Sequence, residues 1–138
     1  MKRGVFVDTS FFVAALDVRD SAHRRALELA GELNADGSPM VTSDAVMLEL
    51  GNYFSRSPLR MHAIEWIKAV RRADGWEVVP LTRSLIYRGE NRYHSYTDKS
   101  WSMVDCIGME VMLDRGIREV ATTDEHFTQA GFRLLMEI

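Results

Sequence analysis

The sequence predicts an α/β domain, a five-stranded parallel β-sheet flanked by helices on both faces. Three observations predict it. Short runs rich in β-branched and aromatic residues recur along the chain, beginning with Val5-Phe6-Val7. Between them lie longer segments with apolar residues at three- and four-residue spacing, the mark of amphipathic helices. The two kinds alternate from one end to the other, and parallel strands need helical crossovers of this sort. The 138 residues fit one domain over 1–138, with no linker, repeat or low-complexity run.

Val5-Phe6-Val7 reads as a buried first strand, and Phe11 to Leu16 as a short buried helix after Asp8-Thr9-Ser10. Asp20-Ser21 is a helix start signal, and Ala22 to Asn34 then places Ala26, Leu29, Ala30 and Leu33 on one stripe. Asp36-Gly37-Ser38-Pro39 is a loop. Met40-Val41-Thr42 is a second strand, and Ser43 or Asp44 caps a helix running to about Arg56. Pro58 separates that helix from another, Leu59 to Ala73, closed by the turn Asp74-Gly75. Trp76 to Leu81 is a strand, Thr82 to Tyr93 a helix, and His94 to Ser100 a polar loop. Trp101 to Arg115 is helical and stops at Gly116. The strand Val120 to Thr123, a short helix Asp124 to Gln129, a turn at Gly131 and a last strand Phe132 to Met136 complete the chain.

Composition bounds the function. Hydrophobic residues make up 46% and charged residues 27%, which is ordinary for a globular chain and argues against disorder. The formal net charge of −3 weakens any picture of a simple basic nucleic-acid binder. It leaves room for a metal-dependent nuclease, because acidic ligands lower the net charge and a bound cation reverses the local field. The single cysteine, Cys106, excludes an internal disulfide. The apolar run before Asp8 is too short for a signal peptide or a membrane span, so a cytosolic protein without membrane attachment is expected.

In open α/β sheets, ligands gather beyond the carboxyl ends of the strands. Asp8 ends the first predicted strand and Asp124 follows the strand Val120 to Thr123. Glu49 and Asp105 fall in the first turns of two helices, Glu49 between Leu48 and Leu50, Asp105 between Val104 and Cys106. Acids in apolar surroundings are costly unless they are paired or bind a cation. Mg2+ or Mn2+ removes the mutual repulsion, because hard cations prefer oxygen ligands, and such an ion can polarise a phosphodiester and activate a water. Each acid also has a purely structural reading. Asp8 and Asp124 can cap the helices after them, Ser102-Met103-Val104-Asp105 fits a capping box, and Glu49 can be a solvated helix residue. The functional reading rests on all four meeting at one pole of the sheet.

With these residues in place, the sequence resembles the PIN-domain family, and within it the VapC-type toxin ribonucleases. The resemblance covers nearly the whole chain. It is carried by Val5-Phe6-Val7-Asp8-Thr9-Ser10, by Thr42-Ser43-Asp44-Ala45-Val46-Met47-Leu48-Glu49, by Asp98-Lys99-Ser100-Trp101-Ser102-Met103-Val104-Asp105-Cys106, and by Ala121-Thr122-Thr123-Asp124-Glu125-His126-Phe127. It implies Asp8, Glu49, Asp105 and Asp124 as a catalytic and metal-holding quartet around Mg2+ or Mn2+, with Thr9 and Thr123 in support and Asp98 as a fifth acid at the rim. It also implies an RNA substrate, a cognate antitoxin that blocks the acidic groove, and a homodimer.

Other features carry less. Arg88 and Arg92 share a helix face and can be read as phosphate contacts, but a solvated face is favoured; Tyr87, Tyr93 and Tyr96 can stack on bases or pack on a partner. His23 and His126 read as structural, and Cys106 as a small buried filler. The helix Met103 to Met112 reads as core or dimer surface. A phosphoaspartate enzyme of the haloacid-dehalogenase kind needs a second aspartate two residues after the first, where Ser10 stands. A receiver domain needs paired acids near the first strand and a late lysine, and neither is evident. The alternative is a non-catalytic RNA- or protein-binding module that keeps the fold.

Overall fold

A computed structural model describes residues 4–136 of the chain. In order, its elements are β1 (Val5–Val7), α1 (Thr9–Leu16), α2 (His23–Asp36), β2 (Met40–Ser43), α3 (Asp44–Tyr53), α4 (Arg60–Arg72), β3 (Trp76–Val79), α5 (Arg83–Ser95), α6 (Met103–Arg115), β4 (Glu119–Ala121), α7 (His126–Gln129) and β5 (Arg133–Leu134). The strands form one sheet in the order β3-β2-β1-β4-β5, and every neighbouring pair is parallel. The chain therefore builds outward from β1 in one direction through β2 and β3, then returns to add β4 and β5 on the other side. Right-handed crossovers put the helices of these two excursions on opposite faces. The reversal makes a switch point between β1 and β4, where ligand sites of open α/β sheets form.

The expected α/β fold with five parallel strands is present, and the differences lie at element ends. Pro80 has no N–H to offer, and β3 stops at Val79 instead of running to Leu81. The Ser102 hydroxyl accepts the N–H of Asp105, so α6 begins at Met103 and leaves Trp101 outside the helix. Trp101 is buried there, its Nε1–H donating to Gln129 Oε1 at 2.9 Å. Strand β4 ends at Ala121, two residues short of Thr123.

The core lies against both sheet faces. Phe6 on β1 packs on Phe127 of α7, which also meets Phe132. Phe12 of α1 stands edge-on to Trp66 of α4 and close to Trp76 of β3. Met109 and Met112 of α6 are fully buried, so these methionines are core residues. No helix among the described residues is long and apolar enough to cross a membrane.

Two glycines set how closely α6 approaches its neighbours. A Cβ at Gly108 would meet the Phe6 ring at 3.0 Å, so α6 rides directly over β1. A Cβ at Gly89 of α5 would meet Ile107 Cγ1 at 2.6 Å. The same α5–α6 seam is closed by ion pairs, Arg92 Nε to Glu110 Oε2 and Arg88 NH1 to Asp114 Oδ1, both at 2.7 Å. Arg88 and Arg92 are thus committed within the fold instead of offering a solvated face. Gly89→Ala is expected to wedge the seam apart and cost about 1–3 kcal/mol, read as a lower urea midpoint at unchanged slope. An unaltered midpoint would show that the seam opens freely.

Candidate active site

The site is assembled at the switch point by short local devices. Asp8 follows β1 directly, and its N–H donates to Ala121 O at 3.1 Å, which ties it to the end of β4. It occupies the N-cap position of α1, yet its side chain makes no capping hydrogen bond. The carboxylate instead receives the Thr122 hydroxyl, Oγ1 to Oδ2 at 2.9 Å. Thr122 Oγ1 in turn accepts the N–H of Asp124 at 3.1 Å, and it lies 2.8 Å from Ser10 Oγ. Ser10 Oγ accepts the N–H of Thr123 at 3.1 Å. This relay fixes the loop after β4 against the turn after β1, and so fixes Asp124 relative to Asp8.

Asp105 is held by the capping box: its Oδ2 accepts the N–H of Ser102 at 3.0 Å, while its own N–H goes to Ser102 Oγ at the same distance. Asp124 Oδ1 accepts the N–H of His126 at 2.9 Å, which orders the entry to α7. The structural reading of Asp105 is thus realised, whereas Asp124 holds the turn before α7, whose N-cap is Glu125; a carboxylate so engaged can still face a cavity.

It does so here. Asp8, Glu49, Asp105 and Asp124 all line one cavity of about 650 Å³, together with Thr9, Ser10, Asp20, Asn52, Tyr53, Thr123 and His126. Asp8 and Asp105 are buried, while Glu49 and Asp124 are half-buried. The Asp8 carboxyl is pushed up to about 7, first by burial and then by the charge of Asp105, with a smaller push from Glu49. His126 Nδ1 stands 2.8 Å from Asp105 Oδ2 and 3.1 Å from Asp124 Oδ1. Burial alone would lower His126, but the hydrogen bond to Asp105 and the charges of Asp124, Asp105 and Asp8 prevail and raise it.

The residues fit a divalent cation. Asp105, Asp124 and His126 each offer a ligand atom, all within 4.8 Å of one another. Asp8 and Glu49 line the same cavity outside that tight group. The strain on Asp8 is of the kind a cation relieves. Thr9 carries a buried hydroxyl without a hydrogen-bond partner at the same cavity.

The other expected site residues fall variously. The hydroxyl bonded to Asp8 belongs to Thr122; Thr123 contributes its backbone N–H to Ser10 and is among the residues that line the cavity. Asp98 is exposed, pairs with Lys99 at 3.2 Å and is not among the residues lining the cavity. His23 is structural, its Nδ1 lying 2.8 Å from Ala14 O. Cys106 is buried, which pushes its thiol up, and it does not line the cavity. His126, read from sequence as structural, lies in the site. Asn52 and Tyr53 were detectable in principle, because they follow Glu49 by three and four residues and so share its helix face.

A PIN domain family model matches residues 5–133. No curated protein matches the sequence. Among solved structures, VapC20 of Mycobacterium tuberculosis, a sarcin-ricin loop cleaving toxin, is 27% identical with a TM-score of 0.81 over 94% of this chain and 96% of that one. A DNA-bound VapBC of Salmonella typhimurium is 15% identical with a TM-score of 0.67, covering 96% of each chain. VapBC2 of Rickettsia felis, bound to a promoter DNA fragment, is 14% identical with a TM-score of 0.66 over 94% of this chain and 96% of that one. At such identities the last two share the fold alone. With a family model spanning nearly all of the sheet and every acid of the cavity, the chain belongs to the PIN domain family.

Proposed function

We propose that this chain is a divalent-metal-dependent endoribonuclease and the toxin of a toxin–antitoxin pair. The observation that carries the reading is the convergence of Asp8, Glu49, Asp105 and Asp124 on one cavity at the switch point of the sheet. Likeness across nearly the full length of VapC20, which cleaves the sarcin-ricin loop, supports RNA as the substrate. The VapBC neighbours support a cognate antitoxin as partner, and family membership supports a homodimer.

Asp8, Asp105 and Asp124 would hold Mg2+ or Mn2+, directly or through water, and Glu49 would complete the shell or orient the attacking water. When bound, such an ion polarises the phosphodiester and lowers the pKa of a water. The protein's own part is to keep the carboxylates from turning away. Thr122 holds Oδ2 of Asp8, the Ser102 N–H holds Oδ2 of Asp105, and the His126 N–H holds Oδ1 of Asp124. The aromatic ring of Tyr53, exposed at the rim, offers a face on which a base can stack.

Incubation of the purified chain with total RNA and Mn2+, followed by mapping of new 5′ ends, tests the reading. Discrete cuts, with a position in the sarcin-ricin loop as the first expectation, would support it. RNA left whole beside an intact fold would favour the non-catalytic binding module.

A further inference from the structure

A cavity of carboxylates alone would suit Mg2+ and Mn2+ alike, because both accept oxygen ligands. Here a nitrogen stands among the oxygens. His126 Nδ1 is 2.8 Å from Asp105 Oδ2 and 3.1 Å from Asp124 Oδ1, on two different acids. A single N–H can be given to only one of them. These spacings are also those of neighbouring ligands around an octahedral ion with bonds near 2.1 Å, which are about 3 Å apart.

The other ring nitrogen is placed as a ligating histidine requires. His126 Nε2 lies 3.2 Å from Ser100 Oγ. Facing carboxylates, which only accept, Nδ1 carries a proton; a cation that displaced it would leave Nε2–H to donate to the Ser100 hydroxyl, the usual arrangement behind a ligating imidazole. The backbone N–H of His126 is itself held by Asp124. The ring is therefore fixed at both ends.

We propose that His126 is a direct ligand of the site's cation through Nδ1, and that this nitrogen makes the site select a first-row transition ion, Mn2+ or Co2+, over Mg2+. The inference rests on the metal-dependent reading of the site and sharpens it. Mg2+ keeps oxygen ligands and dehydrates reluctantly, whereas affinity for imidazole rises from Mn2+ to Co2+. Ser100 acts as a positioning residue behind the ring.

Calorimetric titration of the metal-free full chain with Mg2+, Mn2+ and Co2+ tests this, together with nitrogen modulation of the electron spin echo of bound Mn2+. The wild type is expected to bind Mn2+ at least about tenfold more tightly than Mg2+, and Co2+ more tightly still. His126→Ala is expected to weaken Mn2+ and Co2+ by about 10–100-fold, to move Mg2+ far less, and to remove the nitrogen modulation. Ser100→Ala, which keeps the imidazole, is expected to weaken Mn2+ by a smaller step and retain the modulation. Equal losses for all three ions in His126→Ala would reduce His126 to an orienting partner of the carboxylates, and equal gains would make it a competitor for them. Either result, or modulation that survives in His126→Ala, overturns the ligand assignment while leaving the nuclease reading intact. Failure of the wild type to bind any of the ions would overturn both.

Discussion

Replacing Asp8 with asparagine is expected to lower RNA cleavage by at least about 10³-fold and, at the same time, to make the metal-free protein more stable. The two effects share one cause. Asp8 is buried beside Asp105, and its carboxyl is pushed up to about 7 in the fold, against an ordinary value near 3.8 in the unfolded chain. Between about pH 4 and pH 7 the unfolded chain loses this proton while the folded one keeps it. The folded state then binds more protons, so stability falls as pH rises through that window and levels off above it. Asparagine is nearly isosteric, its side-chain oxygen can still accept from the Thr122 hydroxyl, and it carries no charge. The gain from Asp8→Asn should therefore be absent below about pH 4 and reach about 2–4 kcal/mol above pH 7. Thermal unfolding of both proteins across that range, without metal, measures it. Mn2+ should narrow or reverse the order by stabilising the wild type more than the variant, because the variant lacks the charged ligand at position 8. A variant less stable than wild type at pH 8 without metal would show that Asp8 sits in a relaxed environment.

Phe127→Ala should be the most damaging single truncation near the site. Phe127 is fully buried in the four-residue helix α7, with ring centroids 6.4 Å from both Phe6 and Phe132. A helix this short has no stability of its own, so the ring is what docks it on the sheet. Loss of the ring should cost about 3–5 kcal/mol, a large part of the 5–15 kcal/mol that holds a typical domain together. It should also loosen Asp124 and His126, which flank the helix start, and so weaken Mn2+ binding in protein that still folds. Phe127→Leu should recover most of both. Urea denaturation beside Mn2+ titration of the three proteins separates the effects; a stable Phe127→Ala protein with unchanged Mn2+ affinity would mean that α7 is held by other contacts.

Much of this was legible in the residues. Val5-Phe6-Val7 is buried throughout, as an apolar run with no polar alternation requires of a central parallel strand. That Asp8 and Asp124 line the cavity follows from their places at strand ends, because the carboxyl ends of strands are where a sheet of this kind opens. The capping box at Ser102 and Asp105 is present as the sequence predicts, and it also holds a carboxylate that lines the cavity. What escaped was what depends on parity and on distant partners. Thr122 and Thr123 are adjacent hydroxyls, and only the three-dimensional exit of the chain from β4 decides that the first turns inward to Asp8. His126 looked isolated because its partners, Ser100 and Asp105, lie 26 and 21 residues away in sequence. Arg88 and Arg92 gave no sign that Asp114 and Glu110 of the next helix would claim them. The strand order, and with it the switch point, needs the register of the whole sheet.

The proposed chemistry is RNA cleavage by carboxylates that share a divalent cation. Its most direct test strips the purified chain with EDTA and follows cleavage of one defined RNA as Mn2+ or Mg2+ is restored, with Asp8→Asn alongside. Cleavage that stops with EDTA, returns with the ion in the wild type and never returns in Asp8→Asn is the predicted result. Cleavage that persists in EDTA, or that Asp8→Asn performs as well as the wild type, would contradict it.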